Sequence, residues 1–195
     1  MSFHREPDLR ERDLCFMDIE TTGALVGFHE IIEVAAIRTS SDANTVFGSW
    51  HRRIRPQHPE RFSAEAKGIN GYDDRLWAAA GTSNEQLWSE FATFVRGCVP
   101  VCHNPAFDRA FLALAAVQCG IGELGVDYHW IGTESLAWPL YWSGEVPKLS
   151  LESLCAFLGI ETETAPHNAL GGARACMRVY RGLMAKFPSL HRTGA

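Results

Sequence analysis

The sequence predicts an α/β fold: a mixed sheet that opens as an antiparallel meander, continues with parallel strands and is flanked by helices. Three observations predict it. Three segments rich in apolar and β-branched residues follow one another between Leu14 and Ile54, with short connections. From Thr82 onward, segments of helical periodicity alternate with short apolar runs. The 195 residues, 46% hydrophobic and 21% charged, suffice for one core and show no repeat, low-complexity tract or linker that would divide it.

Each element has a local reason. Residues 1–12 are polar and charged and read as a flexible arm, leaving 13–190 as a single domain. Leu14 to Asp18 is an apolar run ending in an acid, and Thr21-Thr22-Gly23 turns the chain after it. Ile31–Arg38 and Val46–Ile54 read as the next two strands, stopped by Pro56 and Pro59. Thr82 and Glu85 have capping-box spacing, which predicts a helix through Arg96. Val99–His103 reads as a short strand. Pro105 then opens a helix to Cys119, with Phe107, Phe111 and Leu114 at helical spacing. A further strand is expected over Asp127–Ile131, a helix from a Ser150 cap to Leu158, and a last helix from Asn168 to Phe187.

Bulk properties exclude several function classes. No apolar run approaches the roughly 20 residues of a spanning helix. The N-terminus has no apolar stretch resembling an export signal, so no membrane association and a cytoplasmic setting are expected. A net charge of −5 does not suit a broad basic surface coating nucleic acid, though it permits a grip on one chain end. Cys15, Cys98, Cys102, Cys119, Cys155 and Cys176 match no zinc spacing and read as reduced thiols. Arg52, Arg53 and Arg55 form a basic strand end, read as a solvated face with phosphate contact as the alternative.

Three short segments carry chemistry. In Asp18-Ile19-Glu20-Thr21-Thr22-Gly23, two acids lie two apart at a strand end, so they share a face. Carboxylates held side by side repel unless a cation lies between them, and hard oxygen donors favour Mg²⁺ or Mn²⁺. The same segment read alone is equally a solvated strand end and turn. His103-Asn104-Pro105-Ala106-Phe107-Asp108 follows an apolar strand and opens a helix, where Asp108 alone reads as a helix-dipole partner. His167-Asn168-Ala169-Leu170-Gly171-Gly172 starts the last helix, where a single histidine reads first as a cap or surface residue.

In this order, the three segments resemble the DnaQ-like exonucleases of the ribonuclease H-like superfamily. That family has Asp-x-Glu followed by Thr-Gly, then Asn-x-x-Phe-Asp, then His followed five positions later by Asp. Asp18, Glu20 and Asp108 match in order and context, and His167 matches the DEDDh branch rather than the branch with tyrosine, whose place here is Asn168. Lys67-Gly68-Ile69 resembles the family's His-Gly-Ile segment, and 148–160 resembles the helix before the third motif, so the likeness runs from about Leu14 to Phe187. Two positions depart. The fourth acid falls on Gly172, with no Asp or Glu between Ala165 and Ala195 to replace it. Gly132-Thr133 stands where the family often has Asp-Thr.

The resemblance implies hydrolysis of 3′-terminal phosphodiesters of DNA or RNA by two Mg²⁺ or Mn²⁺ ions. It assigns Asp18, Glu20 and Asp108 as metal ligands, His167 as the base that takes a proton from water, and Gly172 as a degenerate fourth-ligand position. Thr21, Thr22, Gly23 and Asn104 are candidates for substrate contact, and Phe107 is equally a candidate for contact with the terminal sugar or base and for core packing on its helix; Phe28 and His29 are candidates for stacking at the single-stranded 3′ end. Glycine in place of the fourth ligand implies impaired activity. The alternative is a non-catalytic module that binds 3′ ends or serves as an assembly subunit. A stand-alone enzyme is expected over a polymerase-bound proofreader, a homodimer is compatible, and the choice of DNA or RNA stays open.

Overall fold

A computed structural model describes residues 8–162 and 167–186. Strands β1 (Leu14–Thr21), β2 (Ile31–Thr39) and β3 (Val46–Arg55) form the antiparallel meander. A two-residue strand β4 (Gly81–Thr82) runs parallel to the end of β3. On the other side of β1, β5 (Val99–Cys102) and then β6 (Ile131–Gly132) are added in parallel. The six-stranded order is β4-β3-β2-β1-β5-β6, so the mixed sheet has the topology expected from the sequence.

Between the strands lie α1 (Ala64–Asn70), α2 (Asp74–Trp77), α3 (Glu85–Val95) and α4 (Pro105–Gln118). After β6 come α5 (Thr133–Leu136), α6 (Trp138–Trp142), α7 (Leu151–Leu158) and α8 (Ala169–Ala185). Alternation along β1 divides the core in two. Met17 and Ile19 face α3 and α4, packing with Trp88, Phe91, Phe111 and Leu112. Leu14 and Phe16 face α8, packing with Ala169, Ala173, Cys176 and Tyr180. The α8 face is small-residued near its start (Ala169, Gly172, Ala173), so that end of the helix lies close on β1.

Several boundaries differ from expectation for identifiable reasons. The cap of α3 is Asn84, whose side chain accepts from Leu87 N at 2.9 Å; Thr82 is instead drawn into β4 opposite Arg55. The strand expected over Asp127–Ile131 shrinks to the two residues of β6. The Asp127 carboxylate accepts from His129 N at 2.8 Å, an Asx turn that bends the chain out of the sheet, and it also pairs with Arg12. α1, α2, α5 and α6, none longer than seven residues, were not foreseen; they are too short to show a period. Of the N-terminal arm, residues 1–7 lie outside the described residues, and Leu9–Glu11 forms a 3-10 turn. Phe187 likewise lies outside them. All six cysteines are free thiols.

Candidate active site

The acids of the first two motifs come together through one junction of the sheet. β1 and β5 pair only from Leu14↔Val99 to Phe16↔Val101. Beyond that the strands part, and the N-terminus of α4 enters the gap. Pro105, lacking an N–H, opens α4 and places Asp108 in its first turn, buried at 4% exposure. There the Asp108 carboxylate accepts the Ile19 N–H. Asp108 thus stitches α4 to the unpaired edge of β1, directly between Asp18 and Glu20 in sequence, rather than serving only the helix dipole.

Burial and mutual repulsion dominate these groups. Burial, then Asp108, Glu20 and Glu33, push the Asp18 carboxyl well above the usual carboxylate range. Glu20 is raised to about 7 by burial, then by Glu33 and Asp108. Asp108 is raised to about 7 by burial, against the backbone N–H bonds that favour its charged form.

Glu33 is a site residue that motif reasoning missed. It lies directly opposite Glu20 in the β1–β2 ladder, so both side chains project from the same face. It is 1% exposed; one oxygen pairs with His51 on β3, and Oε2 has no hydrogen-bond partner among the described residues. In Ile31-Ile32-Glu33-Val34 it reads simply as one polar residue in an apolar strand. Only the register reveals that it adds a fourth carboxylate to the cluster.

The structure gives Gly172 a packing reason. The first turns of α8 lie so close to β1 that a Cβ at position 172 would meet the Asp18 carboxylate carbon at 2.6 Å. The Asp18 side chain occupies the space an acid at 172 would need. Gly132 has a comparable reason: a Cβ there would meet Pro105 Cδ at 2.9 Å, at the start of the helix that carries Asp108.

The turn after β1 forms a cleft of about 220 Å³ beside Glu20, lined by Thr21, Gly23, Ile69, Asn70 and Phe107. Thr21 Oγ1 donates to Gly23 O at 2.8 Å, and Asn70 Nδ2 donates to Thr21 O at 3.1 Å. Thr22 is fully buried, and its Oγ1 accepts from Glu30 N at 2.9 Å, so its hydroxyl holds the loop and does not face the cleft. At Gly23 a Cβ would stand 2.6 Å from His29 Cε1; only glycine admits that ring. His29 Nδ1 accepts from Leu25 N at 2.9 Å, so in the neutral ring the proton sits on Nε2. Phe28 is 46% exposed, and its ring meets that of His29 edge-on at 5.0 Å.

The remaining candidates sit nearby. Asn104 is exposed at the start of α4 and makes no side-chain cap. Thr133, buried in α5, holds His103 Nδ1 at 2.9 Å. His167 is exposed just before α8, and its N–H donates to Ile69 O at 3.2 Å, tying the third motif to the cleft wall formed by α1. The helix cap there is Asn168, whose side chain accepts from Gly171 N at 2.8 Å.

The donor chemistry of Asp18, Glu20 and Asp108 fits a hard divalent cation: what acts on Asp18 and Glu20 is burial and other carboxylates. Among the described residues, no three Asp, Glu, His or Cys side chains are already grouped as a cation cage. Asp18 rests against Gly172 instead.

The chain is similar to proteins already known. Residues 15–180 match the exonuclease family of RNase T. The PolC-type DNA polymerase III of Caldanaerobacter subterraneus subsp. tengcongensis is 26% identical over 92% of this chain, which spans 12% of that polymerase. The PolC-type enzyme of Streptococcus pneumoniae D39 is 34% identical over 55% of this chain and 7% of its own length. Among solved structures, E. coli exonuclease I in complex with a dT13 oligonucleotide has the same fold, with a TM-score of 0.79 at 18% identity, covering 92% of this chain and 42% of that one. Exonuclease I of Methylocaldum szegediense gives 0.74 at 22% identity, covering 91% and 41%. With most of its length inside the family match and its three motif acids gathered on one sheet junction, the chain belongs to the RNase T exonuclease family, with the DnaQ-like, ribonuclease H-like fold.

Proposed function

We propose that this chain is a 3′–5′ exonuclease acting on single-stranded DNA or RNA ends, and that Gly172 impairs it. The observation that carries this reading is the gathering of Asp18, Glu20 and Asp108 beside the cleft that Glu20 and Phe107 line. In this reading Asp18, Glu20 and Asp108 hold Mg²⁺ or Mn²⁺, which when bound supplies water activation and stabilises charge on the reacting phosphate. Thr21, Gly23 and Phe107 seat the 3′-terminal nucleotide, with Phe107 against its sugar or base. Asn104, exposed at the start of the helix that bears Asp108, is available for contact with the terminal nucleotide. Exposed His167 takes the proton from the attacking water. Thr22 contributes by fixing the turn.

A second reading is favoured by one observation: the Asp18 carboxylate fills the place of the fourth acid. On that reading the chain binds 3′ ends without cutting them. Incubating the full chain with 5′-labelled oligonucleotides and Mn²⁺ separates the two. Stepwise shortening from the 3′ end, abolished by Asp18→Asn and by a 3′-phosphate, is the expected result. Metal-independent 3′-end binding with no shortening would support the binding module, and indifference to the chemistry of the 3′ end would sink both.

A further inference from the structure

A second cleft, about 310 Å³ in volume, opens on the other side of the turn that follows β1. Part of its wall is apolar and aromatic, from Phe28, Trp88, Phe111 and Leu114, and the rest is polar. Its rim is cationic, with Arg55 at the end of β3 and Arg61 in the following turn, beside His29 and His58. One carboxylate, Glu30, also lines it, but both its oxygens accept backbone donors, Gln57 N at 3.1 Å and His58 N at 2.7 Å. Arg55 uses one of its five N–H donors on the Ala78 carbonyl. Arg61 lies over the Phe28 ring, 5.2 Å from its centroid, with Glu60 3.8 Å from its Nε. Among the lining residues two arginines face one carboxylate, which leaves guanidinium donors available to an anion.

The two clefts share a partition. Gly23 lines the first and His29 the second, and the His29 ring rests on Gly23. Phe107 lines the first and Phe111 the second, with ring centroids 4.9 Å apart. We propose that the Arg55–Arg61 cleft is a second nucleotide subsite, in which the two guanidinium groups hold a phosphate and Phe28 faces a base. The proposal rests on the exonuclease reading of the first cleft. Guanidinium forks match phosphate oxygens, and an exposed ring offers the sequence-tolerant stacking that end-trimming enzymes need. Its nucleotide comes either from the bound strand, upstream of the 3′ end, or from free nucleoside monophosphate.

Binding of thymidine monophosphate, a thymidine dinucleotide and a thymidine octanucleotide to the full chain, with chelator present so that nothing is cut, tests this. Arg61→Gln is expected to weaken octanucleotide binding about tenfold and to lower its log–log salt slope by about 0.7, the loss of one phosphate contact on a single strand. Arg61→Lys should keep most of the slope, and Arg55→Gln should act in the same direction. If the octanucleotide, with or without the dinucleotide, is weakened while monophosphate binding is unchanged, the strand supplies the nucleotide. If Arg61→Gln instead removes a second equivalent of bound monophosphate, the free nucleotide does. Folded Arg61→Gln and Arg55→Gln proteins that bind all three probes as the unaltered chain does would overturn the subsite and leave the exonuclease reading standing. An unaltered chain that binds none of the three would overturn the subsite alone, since the exonuclease reading is judged separately by 3′ shortening with Mn²⁺.

Discussion

The strand-borne and helix-borne halves of the site differ in kind. On β1, Asp18 and Glu20 are held against each other and against Asp108 and Glu33 at an electrostatic cost visible in their raised proton affinities. On α8, the corresponding position is Gly172, and the helix comes so near that the Asp18 carboxylate rests where a side chain would be. The strand half stores repulsion that a cation would relieve; the helix half carries no side chain at 172, and Asp18 fills that space. Burying like charges together is unfavourable, so retaining it beside an intact cleft points to a ligand of opposite charge.

The largest effect expected from breaking the strand half is on metal. Asp18→Asn should weaken Mn²⁺ binding in calorimetry by at least about tenfold, about 1.4 kcal/mol. Unchanged affinity would place the ion elsewhere. Next is the dependence of metal-free stability on pH. Glu20 and Asp108 are raised to about 7 in the folded chain, from 4.5 and 3.8. Between those limits the folded state holds protons that the unfolded state has released, so stability is greatest on the acid side and falls as pH rises towards 7. The slope is about 1.4 kcal/mol per pH unit for each such group. His103, whose proton affinity is lowered by burial, opposes this below 6.5, as one group against several. Thermal denaturation with chelator should therefore give a lower Tm at pH 7 than at pH 5, and saturating Mn²⁺ should raise the pH 7 value most. A Tm that rises steadily from pH 5 to 7 without metal would contradict the charge cluster.

Smaller effects sharpen the contrast. Glu33→Gln keeps a group able to pair with His51 while removing one like charge opposite Glu20, so it should flatten the pH 5–7 dependence without unfolding the chain. An unchanged profile would mean Glu33 carries no charge that Glu20 feels. Gly172→Ala sets a helix-propensity gain of about 0.8–1.0 kcal/mol against displacement of the Asp18 carboxylate, typically about 1–3 kcal/mol for an overpacked site. We expect a net loss of about 1 kcal/mol that turns into a gain when Asp18 is also alanine. Urea denaturation of the four proteins checks the change of sign.

Much of this was legible in the sequence. The meander, the parallel additions and the order of the motifs follow from strand periodicity, Pro105 and the Asp-x-Glu spacing, which are local signals. What was not legible depends on distances between elements. Glu33 joins the acids through register, and Thr22 loses its hydroxyl to Glu30 across a loop. Asp18 meets Gly172 because small residues let α8 settle on β1. The cleft wall formed by α1 was recognised as a motif, Lys67-Gly68-Ile69, but not as a helix, since seven residues show too little period.

On the proposed function, the exonuclease site lacks its helix-borne acid at position 172. Gly172→Asp tests it most directly, although its Cβ requires the Asp18 carboxylate to swing away from α8 towards the other acids. The measurement is release of mononucleotides from the 3′ end of single-stranded DNA or RNA with Mg²⁺ or Mn²⁺, compared with the unaltered chain. We predict an increase of roughly a hundredfold or more, about 2.7 kcal/mol of barrier, most of it lost again on adding His167→Ala. A Gly172→Asp protein that folds, binds Mn²⁺ and releases nothing from any 3′ end would contradict the account.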